Sequence, residues 1–452
     1  MNAPTRPPEG RAGQPMERAQ PTNRAHPFAP KGGRGEGPSA TRRHFLAALA
    51  GGALLAGCDF SFREGIGNPC RASLPPALAQ HPLVQAAWQG LSAGEVWDSH
   101  AHLFGSGDSG EGLWVNPQME SLLSPLQLVQ RLFYLNASCA HDAPGRVDES
   151  VIERLLNLVD GLRPGVKLVL FAFDWAHDDE GRQRPERSTF HVPDAYARRV
   201  AQGHPGEFEW AASIHPYRAD AVAALEHAAG QGARAVKWLP PAQNIDPASS
   251  RCAAFYAAMA RLDMPLITHA GEEKAVHGSD TQALGNPLKL RRALDAGVRV
   301  VVAHCASLGK GADLDAGANA PPRDNFELFV RLLGEARFVD RLFGDLSALP
   351  QLNRLRVLRE LLAHPEWHPR LLNGSDYPLP GVMPIFSVDK LVEAQLLDPG
   401  AAPVLKTLRE YNPLLFDFVL KRSLRWEGRR FAASVFETRR FFDAHRSTPS
   451  QS

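Results

Sequence analysis

From residue 95 onward, short runs of β-branched and aliphatic residues alternate with longer stretches in which apolar positions recur every three or four residues. The runs predict strands at 95–103, 166–173, 208–214, 235–239, 265–269, 298–304, 341–346 and 370–373, and the stretches between them predict helices at 151–161, 219–229, 251–261, 287–296, 326–336 and 352–364. Eight such units without an internal repeat point to an α/β chain folded as one closed parallel barrel with helices outside, a (β/α)8 TIM barrel over 95–445.

In that architecture the active residues lie at the carboxyl ends of strands and in the loops that follow. The polar residues obey this rule. Asp98, His100 and His102 alternate along the first strand, which would put all three on one face. Lys237, His269 and His304 end later strands, and the eighth runs into Gly374-Ser375-Asp376. With 17 His in the chain, chance supplies ~0.6 His-x-His pairs, so the first pair alone proves little. Five separate strand ends with the same character make a metal site the better reading.

The front of the chain has a different composition. Residues 1–40 are rich in Pro, Gly and Arg, cannot bury enough surface to offset ordering, and read as a disordered leader. Residues 41–58 contain Thr41-Arg42-Arg43-His44-Phe45-Leu46, a small-residue apolar run and Cys58. This segment resembles a twin-arginine export signal, and Leu55-Ala56-Gly57-Cys58 resembles a lipobox that would place a lipid on Cys58. It implies a periplasmic or cell-envelope protein held to the membrane through that anchor, with residues 59–94 as an N-terminal extension. The basic leader leaves open a true start downstream of Met1.

Of 50 Lys+Arg and 49 Asp+Glu, 8 and 3 precede residue 59, leaving 42 against 46 and a formal charge of −4 for the rest. That balance gives no nucleic-acid footprint. Cys70, Cys139, Cys252 and Cys305 could form up to two disulfides, whose pairing the sequence does not choose. Cys305, on a buried strand, reads as a packed thiol.

Taken in order, Asp98-Ser-His100-Ala-His102, Val236-Lys237-Trp238-Leu239-Pro240, Leu266-Ile-Thr-His269-Ala-Gly-Glu272, Val302-Ala-His304 and Asn373-Gly-Ser-Asp376-Tyr-Pro378 resemble the amidohydrolase superfamily. The resemblance is to its amidohydrolase-related branch, which contains metal-dependent hydrolases and nonoxidative decarboxylases, and it spans roughly 95–420. It implies a divalent metal, zinc before others, held by His100, His102, His269 and Asp376. Asp376 would also take a proton from the attacking water. Lys237 and His304 would join the metal shell only in a binuclear site. With one metal, the favoured case, Lys237 pairs with a substrate carboxylate and His304 contacts the substrate or polarises its carbonyl.

Other residues carry weaker expectations. Glu272, Trp238 and His215 are candidate substrate contacts; Glu273 could orient a histidine or the substrate, and Asp174, Trp175 and Asp345 could line the pocket. The loop 105–118 reads as a mobile flap, 412–422 as a C-terminal helix and 446–452 as a disordered tail. The expected activity is hydrolysis of an amide, lactone or ester-like bond in a small molecule. The alternatives are decarboxylation of an unsaturated or aromatic carboxylate, and a non-catalytic metal-binding envelope barrel. The oligomeric state, homo-oligomers included, is open.

Overall fold

The computed structural model describes residues 61–140, 145–276, 278, 280–317 and 320–443. The leader, the signal-like segment with Cys58 and the tail 446–452 lie outside the described residues. Each of the eight apolar runs contains a strand: β1 Trp97–His102, β2 Lys167–Phe171, β3 Phe208–Ala211, β4 Val236–Trp238, β5 Leu266–His269, β6 Val300–Ala303, β7 Leu342–Asp345 and β8 Leu371–Leu372. β1, β2 and β3 pair in parallel, as do β4 through β8 in order. Two further parallel bridges, Ala212 to Val236 and Ala101 to Tyr377, join the two groups. The result is a closed (β/α)8 TIM barrel.

Strands covered on both faces need apolar residues at nearly every position. Along β2, Val169 and Phe171 face inward, where they meet Trp97, Ala211, Ala235, Ile267, Val301 and Leu372. Leu168 and Leu170, which alternate with them, join the outer layer under the helices. The interior is plugged at the strands' amino ends by Phe441 and Phe442, with Phe442 stacked on Trp97 at 5.8 Å between ring centroids. This plug leaves the carboxyl ends for chemistry.

The principal helices are α1 Pro125–Ser138, α2 Val147–Asp160, α3 Asp194–Gly203, α4 Ala221–Gly230, α5 Ala253–Arg261, α6 Arg291–Asp295, α7 Asn325–Leu333, α8 Leu355–Ala363 and α9 Pro413–Ser423. α8 shows the expected logic, burying Val357, Leu358, Leu361 and Leu362 on one stripe. α3 escapes that reading because its buried face is Tyr196, Ala197, Val200 and Ala201, too small and too polar in context to stand out.

One expectation changes, and one pairing that the sequence left open is resolved, with Cys305 the packed thiol it was read as. The loop 105–118 is no free flap: Asp148 accepts the Ser106 and Gly107 N–H groups through Oδ1 at 2.7 and 3.2 Å and the Ser109 N–H through Oδ2 at 3.0 Å. Trp114–Val115 also pairs antiparallel with Phe190–His191. Among the cysteines, Cys70 and Cys139 form a disulfide, while Cys252 and Cys305 are buried free thiols.

Candidate metal and active site

β1 does not run evenly. Two residues of β1 separate Asp98 from Ala101 where β2 has one between Leu168 and Leu170, so one residue is extra. A bulge of this kind re-aims the side chains beyond it. His100 and His102 therefore both reach the cavity, and Asp98 does not share their face. Asp98 Oδ1 instead accepts the His100 N–H at 3.1 Å and the Ser375 N–H at 2.8 Å, tying β1 to the loop after β8.

That loop carries Asp376. Its N–H donates to the His100 carbonyl at 2.8 Å, and the buried Lys421 Nζ donates to the Gly374 carbonyl at 2.6 Å. Gly374 has no alternative there, since a Cβ would stand 2.5 Å from the Cβ of His100. The consequence is a tight cluster: His100 Nε2 and His102 Nε2 are 3.2 Å apart, and each is 3.2 Å from Asp376 Oδ1.

The other nitrogen of His100 is engaged behind the cluster. Nδ1 donates to Asp345 Oδ2 at 2.8 Å, which turns the Nε2 lone pair toward Asp376 and His102. Asp345 Oδ1 accepts the His304 N–H at 2.8 Å and the Ser347 N–H at 3.0 Å. His304 Nδ1 donates to the Ser347 carbonyl at 2.9 Å, so its Nε2 is left as an acceptor, 3.8 Å from Asp376 Oδ2. In this tautomer His304 cannot polarise a carbonyl by donating to it.

Electrostatics prepare all the imidazoles but His100 to give lone pairs. Burial pushes His102 down to about 4 and His304 to about 3, and holds His269 well below the usual imidazole range, so all three are neutral near pH 7. Burial and Lys237 oppose a charged His100, but the Asp345 and Asp376 carboxylates outweigh them and raise it. For Asp376 burial acts upward, yet the His304 and His100 rings prevail and keep it a carboxylate.

The donor set fits a divalent metal. Three nitrogen and oxygen atoms converge in a buried site, and the buried Nε2 of His269 has no hydrogen-bond partner while its Nδ1 lies 3.3 Å from Glu273 Oε2. Imidazole with carboxylate suits zinc and neighbouring first-row metals. Among the described residues two triads have donor atoms within 4.8 Å, His100/His102/Asp376 and His100/His304/Asp345. In the second, both Asp345 oxygens are spent on protein N–H groups, so it buttresses the imidazoles. His269 faces the cluster from β5 but belongs to neither triad.

Lys237, the middle residue of β4, faces inward, with Nζ 3.1 Å from His100 Nε2. Burial lowers it to about 8 against the upward pull of Asp376, Asp345 and Glu273. These residues floor a cavity of about 730 Å³ whose walls also include Glu272, Glu273 and Arg354. Arg354 is 7 % exposed, is lowered to about 10 by burial and binds Ser307 Oγ and Gln351 Oε1. Sequence reasoning missed it, because an Arg just ahead of α8 looks like a surface charge.

Two proposed substrate contacts do not line this cavity. Strand alternation explains Trp238: Lys237 faces inward, so Trp238 faces the helices, stacks on Phe255 and donates its indole N–H to the Ile214 carbonyl at 2.9 Å. His215 is buried with Nε2 on the Gln243 carbonyl at 2.9 Å and Nδ1 accepting the Tyr217 N–H. Asp174 and Trp175 line a separate polar recess with His177, His191, Asp194 and Arg218.

Residues 97–401 match a family model described as Amidohydrolase. The chain belongs to the amidohydrolase family. No curated protein matches it. Among solved structures, this amidohydrolase family member is similar to an uncharacterised TIM-barrel protein from Bordetella bronchiseptica, at 16 % identity and a TM-score of 0.41, over 73 % of this chain and 99 % of that one. A putative 2-pyrone-4,6-dicarboxylic acid hydrolase from Pseudomonas putida matches at 18 % identity and TM-score 0.40, over 72 % and 97 %. A 5-carboxyvanillate decarboxylase from Sphingomonas paucimobilis matches at 12 % and 0.38, over 72 % and 96 %. The family match, not these likenesses, carries the assignment.

Proposed function

We propose that the protein is a metal-dependent hydrolase that opens an amide, lactone or ester-like bond in a small molecule bearing a carboxylate. The observation that carries this reading is the convergence of His100 Nε2, His102 Nε2 and Asp376 Oδ1 within 3.2 Å at the floor of a cavity that also presents Lys237 and Arg354. His100, His102, His269 and Asp376 would hold one divalent metal, zinc by donor type. When bound, it would supply Lewis acidity, acidifying a water and polarising a carbonyl oxygen.

The chain's own residues do the remaining work. Asp376, held ionised, takes the proton of the attacking water and passes it to the leaving group. Lys237 and Arg354 hold the substrate carboxylate through charge-assisted hydrogen bonds in a place already shielded from water. His304 offers its Nε2 lone pair to a substrate hydroxyl or amide N–H, and Asp345 keeps His100 in its working tautomer. Export with a lipid on Cys58 belongs to the same proposal; the Arg42-Arg43 segment supports it, as does the Cys70–Cys139 disulfide, which persists in oxidising compartments.

The test combines metal content and products. Full-length protein purified without chelator should hold close to one metal per chain by elemental mass spectrometry, and a panel of carboxylated lactones, esters and amides should yield acid on a pH-stat. Two metals would bring a carboxylated Lys237 and His304 into the shell. Carbon dioxide released from aromatic carboxylates without hydrolysis would replace the reading with decarboxylation, and no metal after supplementation would return the protein to a non-catalytic barrel.

A further inference from the structure

An apolar ridge stands at the mouth of the cavity. Leu122 and Leu123, in the turn ahead of α1, are 86 % and 94 % exposed, and Leu126 and Phe62 about half exposed. These four are most of the six exposed large hydrophobic residues among the described residues, the other two being Leu314 and Val339. Scattered apolar side chains need no explanation, but Leu122 and Leu123 lie in sequence between Met119 and Leu126, both of which line the cavity. Phe62 and Leu126 also line the cavity, so the ridge and the opening share one rim.

The ridge is built as a unit. The arm carrying Phe62 is joined to the carboxyl end of α1 by the Cys70–Cys139 disulfide and by the Asn68 N–H donating to Asn136 Oδ1 at 2.8 Å. Inside the rim the apolar surface continues down the wall through Met119, Val129, Phe133, Val382 and Ile385 before reaching the polar floor.

We propose that this ridge inserts into the surface of a lipid bilayer and that the cavity draws an amphiphilic substrate from it, carboxylate toward Lys237 and Arg354 and apolar body along the wall. The chain itself points to that occupant. Cys58, closing the lipobox-like Leu55-Ala56-Gly57-Cys58, precedes Phe62 by four residues, at most about 14 Å of extended chain. A lipid on Cys58 would therefore hold this rim, and no other face, against the membrane. No helix among the described residues is long and apolar enough to cross a bilayer, so contact is interfacial. Both halves rest on the proposed function, the substrate half on its hydrolase reading and the docking half on its lipid at Cys58.

The docking half is tested without substrate. Full-length protein carrying Cys58→Ser, which has no site for a lipid, is mixed with vesicles of phosphatidylethanolamine and phosphatidylglycerol, and the bound fraction is measured by flotation. Leu122→Asp/Leu123→Asp in the same background should weaken partitioning by on the order of tenfold to a hundredfold, with circular dichroism and metal content unchanged. An environment-sensitive fluorophore on Leu123→Cys should shift to the blue when vesicles are added. Equal partitioning of the two proteins would overturn the proposal, as would no binding by the Cys58→Ser protein or a fluorophore that stays in water. So would an oligomer that the two Asp substitutions dissociate without any vesicle binding, which would make the ridge a contact between copies.

Discussion

Asp345 Oδ2 lies 2.8 Å from His100 Nδ1, and both side chains are fully buried. The carboxylate thereby decides which nitrogen of His100 carries the proton, although β7 contributes nothing to the triad of His100, His102 and Asp376. Asp345→Asn keeps the size but can present an amide N–H where His100 now donates. Metal affinity should fall by about 10- to 100-fold, as for other groups that orient a ligating imidazole. Titration of apo-protein with zinc, read by competition with a chromophoric chelator, checks this; an unchanged affinity would show that His100 needs no orienting partner.

Arg354 is the residue through which substrate charge should be felt. Arg354→Gln removes a buried cation and leaves Asp376 and His100 in place. With a carboxylated substrate from the product panel, KM should rise roughly 10- to 100-fold, the scale of one charge-assisted hydrogen bond, with kcat changed only a few-fold. A fall in kcat at constant KM would place Arg354 in the chemical step instead.

Stability should carry a pH signature from outside the site. Burial and the nearby Asp174 carboxylate push Asp194 up to about 7, even though it accepts the Ser213 N–H at 2.8 Å. Between its ordinary value and 7 the folded form holds a proton that the unfolded chain has lost, so stability declines as pH rises through that window and is level above it. Asp194→Asn removes the titration. The drop in Tm from pH 5 to pH 8 should be smaller in the variant by at least about 2 °C, measured by differential scanning calorimetry; equal drops would assign the pH dependence to other groups.

The disulfide closes a separation of 69 residues. Constraining the unfolded chain over a loop of that length is worth about 4 kcal/mol in the chain-entropy account. Cys70→Ser/Cys139→Ser should lower Tm by roughly 5–10 °C while metal content stays the same, since neither cysteine approaches the floor of the cavity. A variant that also lost its metal would tie the arm to the site directly.

All eight barrel strands could be read from the apolar runs, because a strand covered on both faces has almost no freedom to be polar. His100, His102, Lys237, His269, His304 and Asp376 were equally legible, each being a polar residue where such a run stops, and all six line the cavity. The misreadings have local causes. Asp98 was placed with the histidines because a bulge leaves no trace in spacing. Trp238 was read as a pocket wall although the alternation that turns Lys237 inward turns its neighbour outward. His215 ends its run like the residues that line the cavity, but carbonyl and amide partners from the following loops claim both ring nitrogens. Arg354 depends on how a loop returns over the barrel, which no local pattern encodes, whereas Glu273 follows the His269 strand end directly.

The plug at the far end of the barrel has a consequence for the life of the chain. Thr438 Oγ1 donates to the Trp97 carbonyl at 2.5 Å across 341 residues, and Phe442 closes over the same tryptophan. The first strand therefore waits for residues 341 positions further along to be made before its amino end is covered. Contacts so distant in sequence form late and slow the final step of folding. A truncation that removed only 438–452 would spare every residue lining the cavity, yet it would leave Trp97 and Phe343 open to water and to other nascent chains, making aggregation during synthesis, not weak catalysis, its first defect.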